Sequence, residues 1–579
     1  MAGWVPKEKT VVSEFGGYSY SKRSVRQPAS RVESVPKLMR SALPPRIAML
    51  NRYGIGYPAL FAAVRTAEQT GQLPIEVLLQ NGTISREIWL QSQRQFNLQY
   101  NPNFNATLRR KLLLNATDGL WQRLPQFSSA FTFTMPQMAA LAVLFGSLVV
   151  GFVAESRISM QIVFALLTIF YFCNSLLRTF LLANYQAKPP ANSKATMNCN
   201  DILPVYTVLI ALYQEANQVE RLLKNLSKLD WPKHLLEIKL ICEADDIETI
   251  EALDKTRIPP YVEVLLVPAS HPRTKPKALN FALPLCTGEF LVLYDAEDEP
   301  HPQQLREAYA RFKAADEKLA CLQAPLKIHN ITQSWLSLMF AIEYATLFQG
   351  ILPVLASWRM PIPLGGTSNH FRLDSLRKAG GWDPHNVTED ADLGIRLFRN
   401  GYYIETLTLP TLEEAPPHFL PWLRQRTRWM KGWMQTILVH TRNPVKLHSD
   451  LGLTNSLMFH LLLSCVVISA LIHPFFMALA ASYLVFGESD LSDNMGHIFM
   501  GVSFFNLAAG YTTYALFSCA VLGTHGQKSR RGALFLLPIY WLAISLAAWR
   551  ALLHLITQPH SWEKTPHGFS DGLENNIKS

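Results

Sequence analysis

The sequence predicts an α/β domain with a parallel sheet, inserted between membrane helices and preceded by a small helical domain. Hydrophobic residues make up 49% of the 579 residues, and charged residues make up only 17%. Soluble chains carry about a quarter charged residues, so part of this chain faces an apolar medium. Long apolar stretches flank the middle of the chain, and within that middle buried-strand patterns alternate with helical ones.

The first fifty residues form a basic arm that we predict to be disordered. Nine Lys or Arg residues face three acids there, and no apolar run is long enough for a secretory signal. The arm is either solvated or attracted to an anionic membrane surface. The seven cysteines of the chain are scattered without a CxxC pair, which indicates a reduced compartment and neither a disulfide framework nor a zinc site.

Residues 51–130 are typical of a small helical module. Apolar residues recur at helical spacing from Leu60 to Ala67, the Asn81-Gly82 pair suits a helix C-cap, and Ser85 suits an N-cap. The stretch LPIEVLLQNGTISREIWLQSQRQFNLQY resembles the N-terminal helical domain of bacterial type II secretion ATPases. The resemblance implies an interaction module, and the stretch has no catalytic motif.

Residues 135–183 predict a transmembrane hairpin. Residues 138–154 carry no charge, residues 160–182 carry only Arg178, and five residues separate the two stretches. Each is close to the roughly 20 residues that span a bilayer. Buried helices of a soluble domain are the alternative.

Four apolar runs between residues 200 and 300 predict the strands of a parallel sheet covered on both faces. The runs 205–212, 237–242, 262–267 and 290–295 alternate with helical stretches. In such sheets ligands bind at the carboxyl ends of the strands. We therefore expect the chemistry directly after these runs.

Further membrane segments follow, and residues 455–557 are predicted to form transmembrane or interfacial helices. The runs 457–486 and 497–522 are joined by an acidic loop, GESDLSDN, and the next loop, THGQKSRRG, is basic. By the positive-inside rule, the basic loop, the basic arm and the domain between the membrane segments lie in the cytoplasm. The last run, 533–556, contains Pro538 and Arg550. It either spans the membrane or, as we expect, lies in the interface or re-enters the membrane.

Acidic clusters follow the predicted strands at the places where ligands bind. They are Asp245-Asp246, Asp295-Ala296-Glu297-Asp298 and Thr388-Glu389-Asp390, and the basic, aromatic stretch Gln425–Trp429 comes after them. Transfer of a sugar from a nucleotide needs oxygen ligands for a divalent cation, a carboxylate base, an arginine for the leaving group and an indole face for the acceptor. Each cluster alone also fits a helix cap or an amphipathic helix.

In this order, the clusters resemble the processive family 2 glycosyltransferases, which include cellulose, hyaluronan, chitin and poly-N-acetylglucosamine synthases. The resemblance covers residues 200–570 and is closest to the bacterial cellulose-synthase-like branch that makes exopolysaccharide β-glucans. It implies that residues 200–440 form a Rossmann-like GT-A domain in the cytoplasm of a multi-pass inner-membrane protein.

The resemblance also implies a role for each matching residue. The residues that would contact the nucleotide are Glu215, Asp245, Asp246, Lys277 and Arg428. The ligands of Mg²⁺ or Mn²⁺ would be Asp295 together with Glu297 or Asp298. Asp390, beside Glu389, is the general base, and Gln425 and Trp429 hold the acceptor. Trp562–Thr565 resembles a gating loop, so that Thr565 and the tail 558–579 close over the nucleotide. One departure concerns the metal: Glu297 stands where the second Asp of DxD is usual.

The implied activity is inverting polymerisation of a UDP-sugar, with UDP-glucose favoured, into a β-linked exopolysaccharide that the protein translocates. Its partners are the growing glycan, membrane lipid and possible export or regulatory subunits. The alternatives are transfer of one sugar to a lipid carrier without secretion, and an inactive binding protein on the same fold. A nucleic-acid partner is not expected, because the basic residues follow membrane topology.

Overall fold

The computed structural model describes residues 43–70, 72–103, 105–186, 203–486, 494–561 and 563. The basic arm up to residue 42, residues 562 and 564–579, and with them Thr565, lie outside the described residues. The N-terminal part of the described chain is helical: α1 Pro45–Ala48, α2 Tyr57–Thr70, α3 Pro74–Gln80, α4 Arg86–Tyr100 and α5 Ala106–Arg123. Gly82 (φ 65°) follows α3, and Ser85 Oγ accepts a hydrogen bond from Ile88 N (3.2 Å) at the start of α4, as the sequence predicts.

A seven-stranded sheet forms the centre of the middle domain, in the order β3-β2-β1-β4-β8-β6-β9. Its strands are β1 Tyr206–Leu212, β2 Leu236–Glu243, β3 Val262–Val267, β4 Phe290–Tyr294, β6 Leu319–Gln323, β8 Asn369–Arg372 and β9 Tyr403–Thr406. A small second sheet has the order β5-β10-β7, with β5 Glu299–Pro300, β7 Leu326–Ile328 and β10 Thr411–Glu413. The first four strands coincide with the four predicted runs and pair in parallel.

The sheet as a whole is mixed, so the prediction of a parallel sheet is wrong at one strand. β8 runs antiparallel to both of its neighbours, β4 and β6. Its four residues, Asn-His-Phe-Arg, contain no apolar run, so hydrophobic periodicity does not reveal it. β8 is nevertheless fully internal to the sheet, and Tyr206 and Gln304 hold the two ring nitrogens of its His370 at 2.7 and 3.1 Å.

Short helices cover the sheet, and those that follow its parallel strands β1, β2 and β3 begin near its carboxyl edge. The short helices are α8 Val219–Ser227, α9 Ile247–Lys255, α10 Lys275–Ala282, α11 Gln304–Ala314, α14 Leu373–Lys378 and α15 Glu389–Arg399. Helix α16, Phe419–His440, then leads to the C-terminal helices. The first turns of α10 and α15 therefore lie at the edge where ligands bind in such sheets.

Among the described residues, six helical segments are long and apolar enough to cross a membrane by length and composition: Met135–Ala154 (α6), Ser156–Ala183 (α7), Trp335–Ser357, Pro444–Ser482, Met500–Thr524 and Lys528–Thr557. The helices within the last four are α12 Trp335–Tyr344, α13 Leu352–Ser357, α17 Pro444–Phe459, α18 Cys465–Phe486, α19 Asn494–Thr524 and α20 Leu537–Thr557. Trp335–Ser357 was not predicted as a membrane segment from the sequence. Two-thirds of its apolar window is buried inside the protein, and it carries the acid Glu343.

Helix α20 lies against α16, which belongs to the middle domain. Tyr540 near its start accepts a hydrogen bond from Arg426 (3.0 Å), and Ala548, Ala551 and Leu555 further along pack with Met430 and other α16 residues. After α20 the chain turns back, and the Glu563 carboxylate contacts Arg550 at 2.7 Å. Both ends of the segment 533–556 are therefore close to α16.

Candidate active site

A cavity of about 350 Å³ opens at the carboxyl edge of the sheet and extends between the apolar helices. Its sheet end is lined by the carboxylates of Glu215, Glu243, Asp295, Glu297, Glu389, Asp390, Glu413 and Glu414 and by the cations of Arg273, Lys275 and Arg428. Its other end is lined by aromatic and aliphatic side chains, among them Phe340, Tyr344, Leu347, Ile351, Trp429, Trp433, Leu463 and Val466. One space thus joins an acidic chamber to an apolar one.

The acidic turn after β4 presents two carboxylates to the cavity and keeps one behind it. Asp295 and Glu297 line the cavity, whereas Asp298 is buried. Asp298 accepts hydrogen bonds from Asp295 N (2.8 Å) and from the Thr367 hydroxyl, and so fixes the turn. Burial, with the charges of Asp295 and Glu297, raises the pKa of Asp298 well above its usual range. Glu297 is therefore better placed than Asp298 for the second metal contact.

The predicted base and its neighbour stand on the first turn of α15. Asp390 Oδ1 accepts a hydrogen bond from Ala391 N (2.8 Å), and Gly366 faces Asp390 so closely that a Cβ there would be 3.3 Å from Oδ2. Burial raises the pKa of Asp390 to about 6. Burial, followed by the charge of Asp390, raises the pKa of Glu389 to about 7. Both carboxyls thus titrate in the range that suits general acid–base catalysis at neutral pH.

Helix α16 lines the cavity with three of its predicted residues, Gln425, Arg428 and Trp429. The Trp429 ring stacks on Tyr344 with a centroid distance of 6.1 Å and an interplanar angle of 15°. Gln425 Oε1 is buried and has no hydrogen-bond partner among the described residues. Arg428 Nη1 donates to the carbonyl of Glu563 (3.1 Å). The three side chains provide an aromatic wall, a polar acceptor and a cation.

The structure places Lys277 away from the cavity, in contrast to the implied contact with the diphosphate. Its side chain is fully buried, and Nζ lies 2.8 Å from Glu243 and 3.2 Å from the carbonyl of Ser270. Lys275, two residues earlier at the start of α10, lines the cavity instead. Its Nζ contacts Asp295 and donates to the carbonyl of Gly366 (2.7 Å). Helical geometry separates the two side chains, since residues i and i+2 do not share a face.

Asp245 and Asp246 stand beside the cavity and not in its lining. Asp246 accepts hydrogen bonds from Gln214 N (2.5 Å) and Thr249 N (3.4 Å), and so connects the end of β1 to the start of α9. Asp245 pairs with Arg273, which does line the cavity. Glu215, the remaining predicted nucleotide residue, is part of the lining.

Sequence reasoning misses several residues of the lining, above all Lys275, Arg273, Glu413 and Glu414. The signal for Lys275 was its position at the first turn of a helix after a strand. Glu413 ends β10, a three-residue strand that no periodicity predicts. Burial, with the charges of Asp298, Asp295 and Glu297, raises the pKa of Glu413 well above its usual range. Glu413 therefore belongs to the same electrostatic cluster as the β4 turn.

Within the described residues, no group of three or more His, Cys, Asp or Glu side chains is arranged to hold a metal ion. The two cavity-lining carboxylates after β4, Asp295 and Glu297, are oxygen ligands of the kind that hard cations prefer. Mg²⁺ is usually held by one or two carboxylates together with substrate phosphates and waters. The residues present therefore fit a divalent cation whose coordination is completed by a nucleotide diphosphate.

Comparison with known proteins identifies two overlapping family models. Residues 207–368 match Glycosyl transferase family 2, and residues 290–553 match Glycosyl transferase family group 2. One similar solved structure is the mannosyltransferase PcManGT from Pyrobaculum calidifontis in complex with GDP-Man and Mn²⁺. The two chains are 20% identical, the match covers 68% of this chain and 98% of PcManGT, and the TM-score is 0.41.

Curated relatives include glycolipid and polysaccharide synthases. The probable glycosyltransferase YdaM of Bacillus subtilis is 26% identical over 242 residues, 41% of this chain and 57% of YdaM. The beta-monoglucosyldiacylglycerol synthase of Nostoc is 28% identical over 240 residues, 41% of this chain and 50% of the relative. The poly-beta-1,6-N-acetyl-D-glucosamine synthase of Staphylococcus aureus is 26% identical over 251 residues, 43% of this chain and 58% of the relative.

The match spans about half the length of these curated relatives. Both family models nevertheless fall on the part of the chain that forms the sheet, the carboxylate cluster and α16. The sheet topology and the cavity chemistry agree with the two family models, so residues 207–553 carry a glycosyltransferase family 2 domain.

Proposed function

We propose that the protein polymerises a UDP-sugar, with UDP-glucose favoured, into a β-linked exopolysaccharide and passes the chain across the bacterial inner membrane. The supporting observation is the continuity of the cavity, which runs from the carboxylates past the Trp429–Tyr344 stack to the apolar helices. An acceptor that stays bound between transfers needs a platform beside the base, and this cavity offers one.

In the proposed reaction, Asp295 and Glu297 are the carboxylates that would hold Mg²⁺ or Mn²⁺. When bound, the cation neutralises charge on the leaving diphosphate. Asp390 removes the proton from an acceptor hydroxyl, and that oxygen bonds to the anomeric carbon while the bond to the diphosphate breaks and UDP leaves. Lys275 and Arg428, two of the cations that line the cavity, would contact the departing UDP. A single displacement inverts the anomeric centre, so an α-linked donor gives a β-linked product.

The acceptor site is proposed to use the flat Trp429 face and the Gln425 amide. Sugar rings stack on indole through their apolar faces, and Gln425 Oε1 accepts no hydrogen bond from the described residues. A buried carbonyl oxygen of this kind is costly unless a donor reaches it, and a sugar hydroxyl is such a donor. The side chain therefore suits a glycan end.

The membrane arrangement that we propose places the catalytic domain in the cytoplasm and α20 at the interface. Helix α20 packs along α16, and the chain after it returns to Arg428 through the Glu563 carbonyl. An interfacial or re-entrant α20 would keep the tail 558–579 on the cytoplasmic side, where a gating loop with Thr565 could close over the nucleotide. The helical module and further subunits are proposed to regulate synthesis or assist export.

A second candidate function is transfer of a single sugar to a membrane lipid. The aliphatic part of the cavity favours it, because Leu347, Ile351, Leu352, Leu462 and Leu463 line the space next to the aromatic wall. Such side chains suit a hydrocarbon tail better than a chain of hydroxyl groups. Among the relatives, one is named for a glycolipid product and another for a polysaccharide.

The deciding experiment measures UDP release and product length with the full chain in detergent. UDP-glucose, UDP-GlcNAc, UDP-galactose and UDP-glucuronate are each supplied with Mg²⁺ or Mn²⁺, with and without membrane lipid. Asp390→Asn tests the base, and Asp374→Asn, an exposed aspartate on α14, is the matched control. Long polymer with one donor, lost only in Asp390→Asn, supports the first function.

Two other outcomes decide against it. A lipid-linked monosaccharide as the only product establishes the second function. Full activity of Asp390→Asn would contradict the assignment of the base, whatever the product.

A further inference from the structure

We infer that Asp383 is a positioning residue that fixes the catalytic carboxylates to the chain segment entering the first membrane helix. The inference rests on the proposed role of Asp390, which stands seven residues later in the sequence. Asp383 lies between the Gly380-Gly381 turn and α15, is fully buried, and does not line the cavity. It acts through the loop that carries Glu389 and Asp390.

Each carboxylate oxygen of Asp383 accepts from a backbone amide and from a serine hydroxyl. Oδ2 accepts from Ser129 N (2.5 Å) and Ser129 Oγ (2.9 Å). Oδ1 accepts from His385 N (3.1 Å) and Ser128 Oγ (3.3 Å). The side chain therefore binds its own loop with one oxygen and the segment 125–131 with both.

The same segment is also held by Arg442, two residues after the end of α16. Its guanidinium donates to the carbonyls of Pro125 (3.2 Å), Ser128 (2.9 Å) and Phe131. Four residues after Phe131, α6 begins, and Gln137 in its first turn donates to the carbonyl of Leu438 in α16 (2.7 Å). The entry to the membrane hairpin is thus connected both to α16 and, through Asp383, to the catalytic loop.

The loop between Asp383 and Glu389 is held at two places, and Asp383 is the first of them. Its second half is held by α16, where Asn386 Nδ2 donates to Thr436 Oγ1 and Val387 N donates to Gln435 Oε1, each at 3.1 Å. Loss of the Asp383 contacts would leave only the contacts with α16, so the loop could rotate about them and the carboxylates that follow would shift. A shift of about 1 Å at a reacting group can lower the rate about a hundredfold.

The isosteric variant Asp383→Asn is a sharp test because neither orientation of an amide fits. Both oxygens of Asp383 accept from a backbone N–H, so the Nδ2 group would face Ser129 N or His385 N, and neither amide can turn into an acceptor. Glu307→Gln is the matched control. Glu307 is also buried and accepts from two backbone amides, Thr408 N (2.8 Å) and Leu409 N (2.9 Å), in a different loop.

The experiment compares the full-length wild type, Asp383→Asn, Glu307→Gln and Asp390→Asn in detergent. For each protein we would measure kcat, the KM for the donor, the melting temperature and the amide hydrogen exchange of residues 383–390. We expect both isosteric variants to lose thermal stability, but only Asp383→Asn to lose about tenfold or more in kcat with donor KM within about twofold. Its loop amides should also exchange faster than those of the control.

Equal loss of kcat in both isosteric variants, or wild-type kcat and exchange in Asp383→Asn, overturns the inference. The exchange measurement needs no donor, so it remains decisive if no tested UDP-sugar is turned over. Loss of activity in Asp390→Asn with wild-type kcat in Asp383→Asn refutes only the positioning role. Activity retained in Asp390→Asn refutes the proposed function instead.

Discussion

The raised pKa of Asp390 predicts where the activity of the enzyme falls with pH. Burial raises that pKa to about 6, whereas an ordinary aspartate has a pKa of about 3.9. A general base works only when it is deprotonated, so activity is lost as the pH falls through the pKa of the folded enzyme. With a pKa of about 6, roughly nine-tenths of the base is ionised at pH 7 and roughly one-tenth at pH 5.

The neighbour Glu389 takes up its proton first as the pH is lowered, because burial raises its pKa to about 7. It is then already neutral when Asp390 titrates. Replacing Glu389 by glutamine, which is also neutral, should therefore leave the fall in activity on the acid side near pH 6. The two carboxyls form a coupled pair, so the pH at which activity falls reports the lower of the pair's two macroscopic pKa values.

The assay is direct chromatographic separation of UDP, at saturating metal, over about pH 4.5 to 8.5 for the wild type and Glu389→Gln. We expect log(kcat/KM) to fall with unit slope below about pH 6 in both proteins. Enzyme held at pH 5 and returned to pH 7.5 must recover its activity, which separates titration from unfolding. A fall in activity centred at about pH 4, the pKa of a solvated aspartate, would refute the argument that burial raises the pKa of Asp390.

Three further outcomes are expected. Gly432→Ala in α16 should lower kcat about tenfold or more, because its Cβ would be 2.1 Å from Thr388 Oγ1, directly before Glu389 and the proposed base Asp390. Gly501→Ala, whose Cβ would meet no neighbouring side chain within 4 Å, should leave kcat unchanged. Arg426→Met removes the buried partner of the half-buried Glu343 and should destabilise the protein by about 1.5–3 kcal/mol in thermal unfolding, whereas Arg424→Met on the exposed side of α16 should not. Chelation of divalent cations should abolish UDP release and added Mg²⁺ or Mn²⁺ should restore it; activity that survives chelation would contradict the cation site.

Strand and helix positions were predictable where the signal is local. The four apolar runs coincide with β1 to β4, and the acidic residues after β4 reach the cavity, because parallel strands end at one edge. Helix ends at Gly82 and Ser85 were predictable for the same reason, since caps depend on neighbouring residues. The helical segment 335–357 was not predicted to be a membrane segment, because an acid interrupts its apolar run and two-thirds of its apolar window is buried within the protein.

Within the site, residue types were predictable, but the direction of each side chain was not. KPKALN contains two lysines, and only the packing of α10 turns Lys275 into the cavity and Lys277 into the core. The same holds for DAED, where the turn after β4 presents Glu297 and buries Asp298. A difference of one or two residues decides such cases, and spacing alone does not resolve it.

The sequence by itself predicted the positions of the first four strands, the acidic clusters that follow them and the stretches that are apolar enough for a membrane. Periodicity and composition record these features within a few neighbouring residues. The tertiary structure decided the antiparallel place of β8, the carboxylates that share the cavity, and the connection of Asp383 to Ser129 across 254 positions of the chain. Such contacts depend on how distant segments pack, and burial then sets the pKa values that the chemistry uses.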